Sequence, residues 1–223
     1  MRRFLPFALI AVVLIAALAG GFILLRSSQR SSNQARPTPD PALEVDGANP
    51  PHIRGNPNAP VTIEEFGDFQ CPSCGLYHPE MKKIEAEYGD RLRVIFRQLP
   101  LLPMHEHAQL AAQAAEAAGI QGKFWEMHDK LYDNQKAWTE AKDLVPIFVD
   151  YAKQIGLDTD RFMKDLNGET VAQRIFQDGK RAHALNIQST PSFFVNGKEA
   201  KGDQWKPEGL RQMINEALPA AGK

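Results

Sequence analysis

Val61-Thr62-Ile63-Glu64-Glu65-Phe66-Gly67-Asp68-Phe69-Gln70-Cys71-Pro72-Ser73-Cys74 runs from a β-type segment straight into the only two cysteines of the chain. Val61 to Phe66 reads as a short strand, and Gly67-Asp68 ends it. Pro72 suits the first turn of a helix, where its missing N–H would be unpaired in any case. The helix continues to about Tyr88 with apolar Leu76, Met81 and Ile84, and Gly89-Asp90 breaks it. Cys71 is thereby expected at a helix N-terminus, with Cys74 one turn later.

Downstream, Leu92 to Phe96 predicts a second strand, closed by Pro100 and Pro103. Residues 105–185 read as almost wholly helical, with segments near 108–118, 141–155, 159–166 and 170–185. Ser192 to Val195 predicts a strand, Asn196-Gly197 a hairpin turn, and Glu199 to Lys201 the returning strand. Pro207 opens a last helix to about Leu218. The order is β-α-β, a long helical insert, then β-β-α: an α/β domain without internal repeats.

A disulfide between Cys71 and Cys74 closes a loop of only four residues, and chain-entropy stabilisation by so short a loop is small. A closed metal site needs four ligands; His105 and His107 could complete a set, but His-x-His at a helix start is not the usual spacing. Redox chemistry fits better. Unpaired N–H groups and the positive helix end favour a thiolate at Cys71. The thiolate is both the nucleophile and the good leaving group of thiol–disulfide exchange. Cys74 is placed to attack the resulting mixed disulfide.

The segment Glu65 to Cys74 resembles the active-site stretch of the DsbA-like thioredoxin family. Further resemblance lies in Phe96-Arg97-Gln98-Leu99-Pro100-Leu101, in Gly122-Lys123-Phe124-Trp125-Glu126-Met127-His128-Asp129, and in Ser189-Thr190-Pro191-Ser192-Phe193-Phe194-Val195-Asn196-Gly197. Together they span roughly residues 60–218, a whole domain, and look most like the membrane-tethered bacterial members with a Cys-Pro-Ser-Cys centre. The resemblance implies a thioredoxin-like fold with its helical insertion between the second strand and the cis-proline strand. It implies that Thr190-Pro191 is a cis-proline loop offering backbone groups to a bound peptide. It also implies that Glu65, six residues before Cys71, relays protons to Cys74. Alternation with Val61 and Ile63 turns Glu65 toward the core, where a carboxylate is costly without a role or partner; the other register turns Glu64 inward instead. Pro72 and Ser73 form the active-site dipeptide, and Ser73 stands where the strongest oxidants of the family carry histidine. His105, His107, His128 and His183 read as surface or satisfied core groups, and Phe124, Trp125, Phe148 and Phe162 as packing within the insert.

Across 223 residues there are 26 basic and 27 acidic side chains. Arg2, Arg3, Arg26, Arg30 and Arg36 fall in a stretch without acids, so the remainder is mildly acidic and lacks the basic footprint of a nucleic-acid binder. Phe4 to Leu25 is an uncharged, largely apolar run of 22 residues, long enough to span a bilayer as a helix. Residues 1–26 are read as an uncleaved signal anchor. A cleaved, secreted form is the alternative, since Ala17-Leu18-Ala19 has the small residues of a cleavage site. Residues 27–59, rich in Ser and Pro, are read as a flexible tether, and 60–219 as the catalytic domain. The expected setting is the outer face of a bacterial cytoplasmic membrane. There the pair would oxidise exported proteins with free cysteines and be reoxidised by a membrane redox partner, with no cofactor or metal. A reductase or isomerase of the same fold is the neighbouring alternative; isomerases of this kind usually carry a dimerisation segment, and none is expected before Val61. A copper-carrying module is the alternative from another class, because soft thiolates suit Cu(I), with only Met104-His105 as further candidate ligands.

Overall fold

The computed structural model describes residues 45–219; the Phe4–Leu25 run and most of the expected tether lie outside them. Among the described residues no helix is long and apolar enough to cross a membrane. The element order is β1 (His52–Gly55), β2 (Val61–Gly67), α1 (Pro72–Tyr88), β3 (Leu92–Gln98), α2 (Ala108–Ile120), α3 (Phe124–Asp133), α4 (Gln135–Thr139), α5 (Val145–Gln154), α6 (Thr159–Leu166), α7 (Glu169–Ala184), β4 (Ser192–Val195), β5 (Lys198–Glu199) and α8 (Pro207–Ala217). The strands form one sheet in the order β1-β3-β2-β4-β5. β2 and β3 are parallel, joined by the crossover helix α1 as parallel neighbours require, and the other pairings are antiparallel. This is a mixed α/β thioredoxin-like fold, with the helical insert where the β-α-β, insert, β-β-α order put it.

β2 is central and buried almost throughout, which is why it carries apolar residues on both faces. Val61 and Ile63 pack with Leu92, Val94, Phe193 and Val195 against the inner faces of α1 and α8. Phe66 lies on the opposite face with Phe194 and Ala182 of α7. Each such aromatic, fully buried, is worth about 1.5–3 kcal/mol over leaving it exposed. The core of the insert, built on Trp138, Phe148, Phe162 and the alanine face of α2, is continuous with Phe69, Phe96 and the two cysteines; the alanines let neighbouring helices approach closely. Phe124, Phe148 and Phe162 pack there as expected. Between β4 and β5, Asn196 and Gly197 have φ of 47° and 80°, the left-handed pair that a two-residue hairpin turn demands. Pro79 sits inside α1, where it withholds one N–H from the helix ladder.

The tether reading fails over 45–59. His52–Gly55 is an edge strand paired with β3, and the residues before it are packed rather than free. The Arg97 guanidinium donates to the Ala48 carbonyl at 2.8 Å, and the Ala48 N–H donates to Asp178 at 2.8 Å. Arg181 donates to the Val45 carbonyl at 2.8 Å and Arg174 to that of Pro50 at 3.0 Å. The segment is proline-rich, yet its remaining backbone groups satisfy buried charges of β3 and α7. The domain therefore begins before residue 60.

The two candidate orientations of Glu64 and Glu65 are not exclusive. Because β2 is covered on both faces, both carboxylates are buried. Glu64 faces α7 and is held by Arg97 at 2.7 Å and by Arg181 at 2.8 Å. Burial raises its pKa, but the two arginines more than offset this and hold it below the usual carboxylate range. Glu65 faces the α1 side, in register between Phe96 and Phe193.

Candidate active site

The strand-to-helix turn places Cys71 as the N-cap of α1, in extended geometry, with Pro72 opening the helix. Cys71 is 7% exposed and Cys74 is sealed at 0%; the two are not joined by a disulfide. The turn is fixed from several sides. The Cys71 N–H donates to the Asp68 carbonyl at 3.1 Å. The Asp68 carboxylate accepts from the N–H of Gln70 at 2.7 Å and of Leu101 at 2.9 Å, and pairs with His105 Nδ1 at 2.7 Å. From α4, the Gln135 amide donates to the Phe69 and Cys71 carbonyls at 2.7 and 2.8 Å. Its carboxamide occupies the space that a side chain on Gly75 would need.

Facing the cysteines, the Thr190–Pro191 peptide is cis. The Cys71 thiol donates to the Thr190 carbonyl at 3.3 Å. Once ionised, sulfur can only accept; the Thr190 hydroxyl, buried and without a hydrogen-bond partner among the described residues, is on the side of Cys71 and helps to lower its pKa. A cleft of about 440 Å³ opens here, lined by Ser73, Thr190, Pro191, Glu199, Lys201 and Trp205. A larger cleft of about 660 Å³ lies by Arg54, Glu85 and Asp90; the first is selected because Ser73 of the active-site dipeptide and the Thr190-Pro191 loop line it. Leu76 and Met104 are strongly exposed large apolar residues, and Leu102 is also exposed.

The two thiols have opposite proton affinities. Hydrogen bonding from the Cys74 thiol, then from the Thr190 side chain and the backbone N–H groups of Cys74 and Ser73, outweighs burial and lowers the Cys71 pKa to about 5. Burial foremost, with the hydrogen bond to Cys71 and its charge, pushes Cys74 well above an ordinary thiol, against a backbone hydrogen bond from Asp68. Burial and the charge of Glu85, partly offset by Arg54, raise Glu65 to about 8. Its proton exchanges near neutrality, where a general acid–base group works best. Glu65 also raises Cys74 through its charge, so the two compete for protons in one pocket.

Cys71, Pro72, Ser73, Thr190 and Pro191 thus meet at one point of the surface, with Cys74 and Glu65 buried behind them. Asp68, His105 and Gln135 belong to the same site. Asp68 stands in the quoted motif without a visible task, His105 reads as a generic helix-start histidine, and Gln135 has no sequence signal at all. His105 is engaged by Asp68 rather than by the cysteines. His107 orders the same loop through its backbone N–H, which donates to Gln70 at 2.6 Å.

A family model described as Thioredoxin matches residues 48–216. Among solved structures, BdbD from Bacillus subtilis aligns with a TM-score of 0.66 at 27% identity, over 78% of this chain and 97% of that one. A thioredoxin-like oxidoreductase from Silicibacter pomeroyi aligns with a TM-score of 0.63 at 28% identity, over 77% and 94%. A curated relative, the Na(+)/H(+) antiporter NhaA 1 of Salinispora arenicola, is 44% identical over 167 residues, which are 75% of this chain and 24% of that protein. The chain spans about a quarter of the length of the curated relatives it matches first. The chain belongs to the thioredoxin family, and both of these solved structures share its fold.

Proposed function

We propose that this protein catalyses thiol–disulfide exchange through Cys71 and Cys74, in the direction that oxidises cysteines of exported proteins. The asymmetry of the pair carries the reading: a low-pKa Cys71 against the Thr190 carbonyl of the cis-proline loop, and a sealed, high-pKa Cys74 behind it. In the oxidising cycle a substrate thiolate attacks the Cys71 sulfur of the Cys71–Cys74 disulfide. The S–S bond breaks, and Cys74 leaves and takes a proton. A second substrate thiolate then attacks the substrate sulfur of the mixed disulfide and Cys71 leaves as thiolate, so two electrons pass from substrate to protein. Stabilising that thiolate stabilises the dithiol form, which makes the disulfide form the better oxidant. Glu65 is the group that gives and takes the Cys74 proton, and the cis Thr190-Pro191 loop holds the peptide beside Cys71.

The Phe4–Leu25 run supports an anchored domain on the outer face of a bacterial cytoplasmic membrane, with a membrane partner restoring the disulfide. Oxidising surroundings are where such a pair works as a disulfide donor. Ion antiport is not proposed for a chain that spans a quarter of the antiporter relatives. The test is an alkylation gel shift across graded glutathione ratios, together with Cys74→Ser. A midpoint at the oxidising end, and mixed disulfides trapped by Cys74→Ser but not by Cys71→Ser, are expected. A midpoint near that of thioredoxin makes the protein a reductase; no exchange at all, with tight stoichiometric copper, makes it a metal carrier.

A further inference from the structure

One turn beyond Cys74, two facing helices bring four polar side chains together. His78 and Lys82 come from α1, Asp129 and Asp133 from α3, and spacing by four residues puts each pair on one helix face. The His78 side chain is only 5% exposed, yet its Nε2 has no hydrogen-bond partner among the described residues. An Asp133 oxygen stands 3.2 Å from it, off the line that a hydrogen bond requires, and an Asp129 oxygen stands 3.9 Å away. Buried polar groups are almost always paired, so a buried nitrogen left unpaired beside two carboxylates calls for a reason. Burial, ahead of the opposing charge of Asp129, lowers the His78 pKa; the ring is neutral near pH 7 and can present a lone pair.

Ligand-type atoms of His78, His128 and Asp129 all lie within 4.8 Å of one another. His128 is buried, and its Nδ1–H donates to Asp129 at 2.9 Å, while the Arg54 guanidinium donates to the same carboxylate at 2.7 Å. Asp129 is thus oriented from behind, as the carboxylate ligands of metal sites commonly are. In front, the Lys82 ammonium stands 3.4 Å from Asp129 and 3.6 Å from Asp133, so one cation already bridges the two acids. Lys82 and Asp133 are exposed, which leaves the ammonium free to swing into water and opens a path to the buried nitrogen.

We propose that His78, Asp129 and Asp133 form a site for a divalent transition metal of the Zn²⁺ type, which takes the place of the Lys82 ammonium and keeps water as its fourth ligand. Bonds of about 2.0–2.2 Å set the ligand atoms of tetrahedral zinc about 3.3 Å apart. The spacings of 3.2 and 3.9 Å around His78 Nε2 need only small side-chain adjustments to match. One imidazole with two carboxylates suits zinc and its neighbours better than Mg²⁺, which prefers oxygen and water alone. Neither cysteine takes part, so the site stands apart from thiol exchange.

The experiment uses the full chain, oxidised so that Cys71 and Cys74 are held in a disulfide and offer no thiolate to the metal. Isothermal calorimetry with zinc chloride at neutral pH should show one equivalent bound. His78→Gln should weaken binding at least about tenfold, no less than the loss of an orienting partner costs. Asp133→Asn should do the same from an exposed position where the fold is not at stake. Lys82→Met should tighten binding by about fivefold, the scale of one exposed ion pair, a direction that damage to the fold does not produce. Magnesium chloride at equal concentration should not compete. Wild-type protein that binds no zinc overturns the proposal. Binding that is equal in His78→Gln and Asp133→Asn marks an adventitious ion elsewhere on the surface and overturns it too. So does competition by Mg²⁺, or a Lys82→Met variant that binds no more tightly than wild type.

Discussion

The lowered Cys71 pKa should make the dithiol protein gain stability as pH rises, and Cys71→Ser should remove that gain. The thiol falls from an ordinary 9.0 to about 5 in the folded protein, chiefly through its hydrogen bond from Cys74 and despite burial. An acid depressed on folding stabilises fully above its unfolded value and loses that contribution as pH falls through the folded one. The window is therefore about pH 5 to 9, with no Cys71 contribution left below it. Cys74 does not disturb this window, because its raised pKa matters only where an unfolded thiol ionises, near and above 9. Each unit of pH is worth at most about 1.4 kcal/mol, so the full span gives an upper bound of about 5 kcal/mol. Cys71 is not sealed from solvent as Cys74 is, and screening cuts this to on the order of 2–3 kcal/mol. The same energy favours the dithiol over the disulfide by about 50 mV. Guanidinium titrations of reduced wild type and Cys71→Ser, repeated across the window, measure it. The difference between the two should be flat at the acid end, widen with pH and level off near 9. Parallel curves at every pH would refute the assignment of Cys71 as the activated thiolate.

Glu65→Gln should stabilise the protein while slowing proton transfer at Cys74. Burial first, then Glu85, raise Glu65 to about 8, so folding near neutrality must hold a proton that the unfolded chain has lost. This is a cost of on the order of 2–3 kcal/mol that grows from about pH 4.5 to 8 and vanishes in the glutamine variant. Urea titration together with the rate at which Cys74 resolves a mixed disulfide on Cys71 reads both effects, and a destabilised variant contradicts the buried, cation-poor setting. Asp178→Ala should destabilise by about 3 kcal/mol, because it strips partners from Arg97 and from the N–H groups of Ala48 and Gln98. Limited proteolysis should then cut near residues 45–50 first, and protection there equal to wild type counts against that account.

The sequence showed the centre of the domain better than its edge. Strand-to-helix placement of the cysteines, the helical insert and the Asn196-Gly197 turn all follow from local chemistry: proline at a first turn, 3.6-residue periodicity, and a pair that tolerates positive φ. β1 was not legible, because Pro50, Pro51, Pro57 and Pro60 around it read as a tether. What fixes the segment is a set of distant side chains, Arg97, Arg174, Asp178 and Arg181, that bond its backbone and leave no trace in its own residues. The site divides in the same way. Cys71, Cys74 and the Thr190-Pro191 pair carry motifs, whereas Gln135 acts through a position that only packing defines.

Glu64 and Glu65 show how that packing sets chemistry. They are the same residue type, adjacent on one strand and equally buried, yet burial raises one to about 8 while the other lies below its usual range. The difference is the allocation of arginines. On the α7 side, Arg97 and Arg181 both bond Glu64 directly. On the α1 side the nearby Arg54 donates to Asp129 and to the Trp125 carbonyl, lies 3.6 Å from Glu85 and stacks over Trp125. Glu65 feels its charge without bonding it. That charge lowers the proton affinity of Glu65 by less than burial and Glu85 raise it. The ion pairs around Arg54, ten residues or more from either cysteine in sequence, thus help keep the acid behind Cys74 able to exchange its proton.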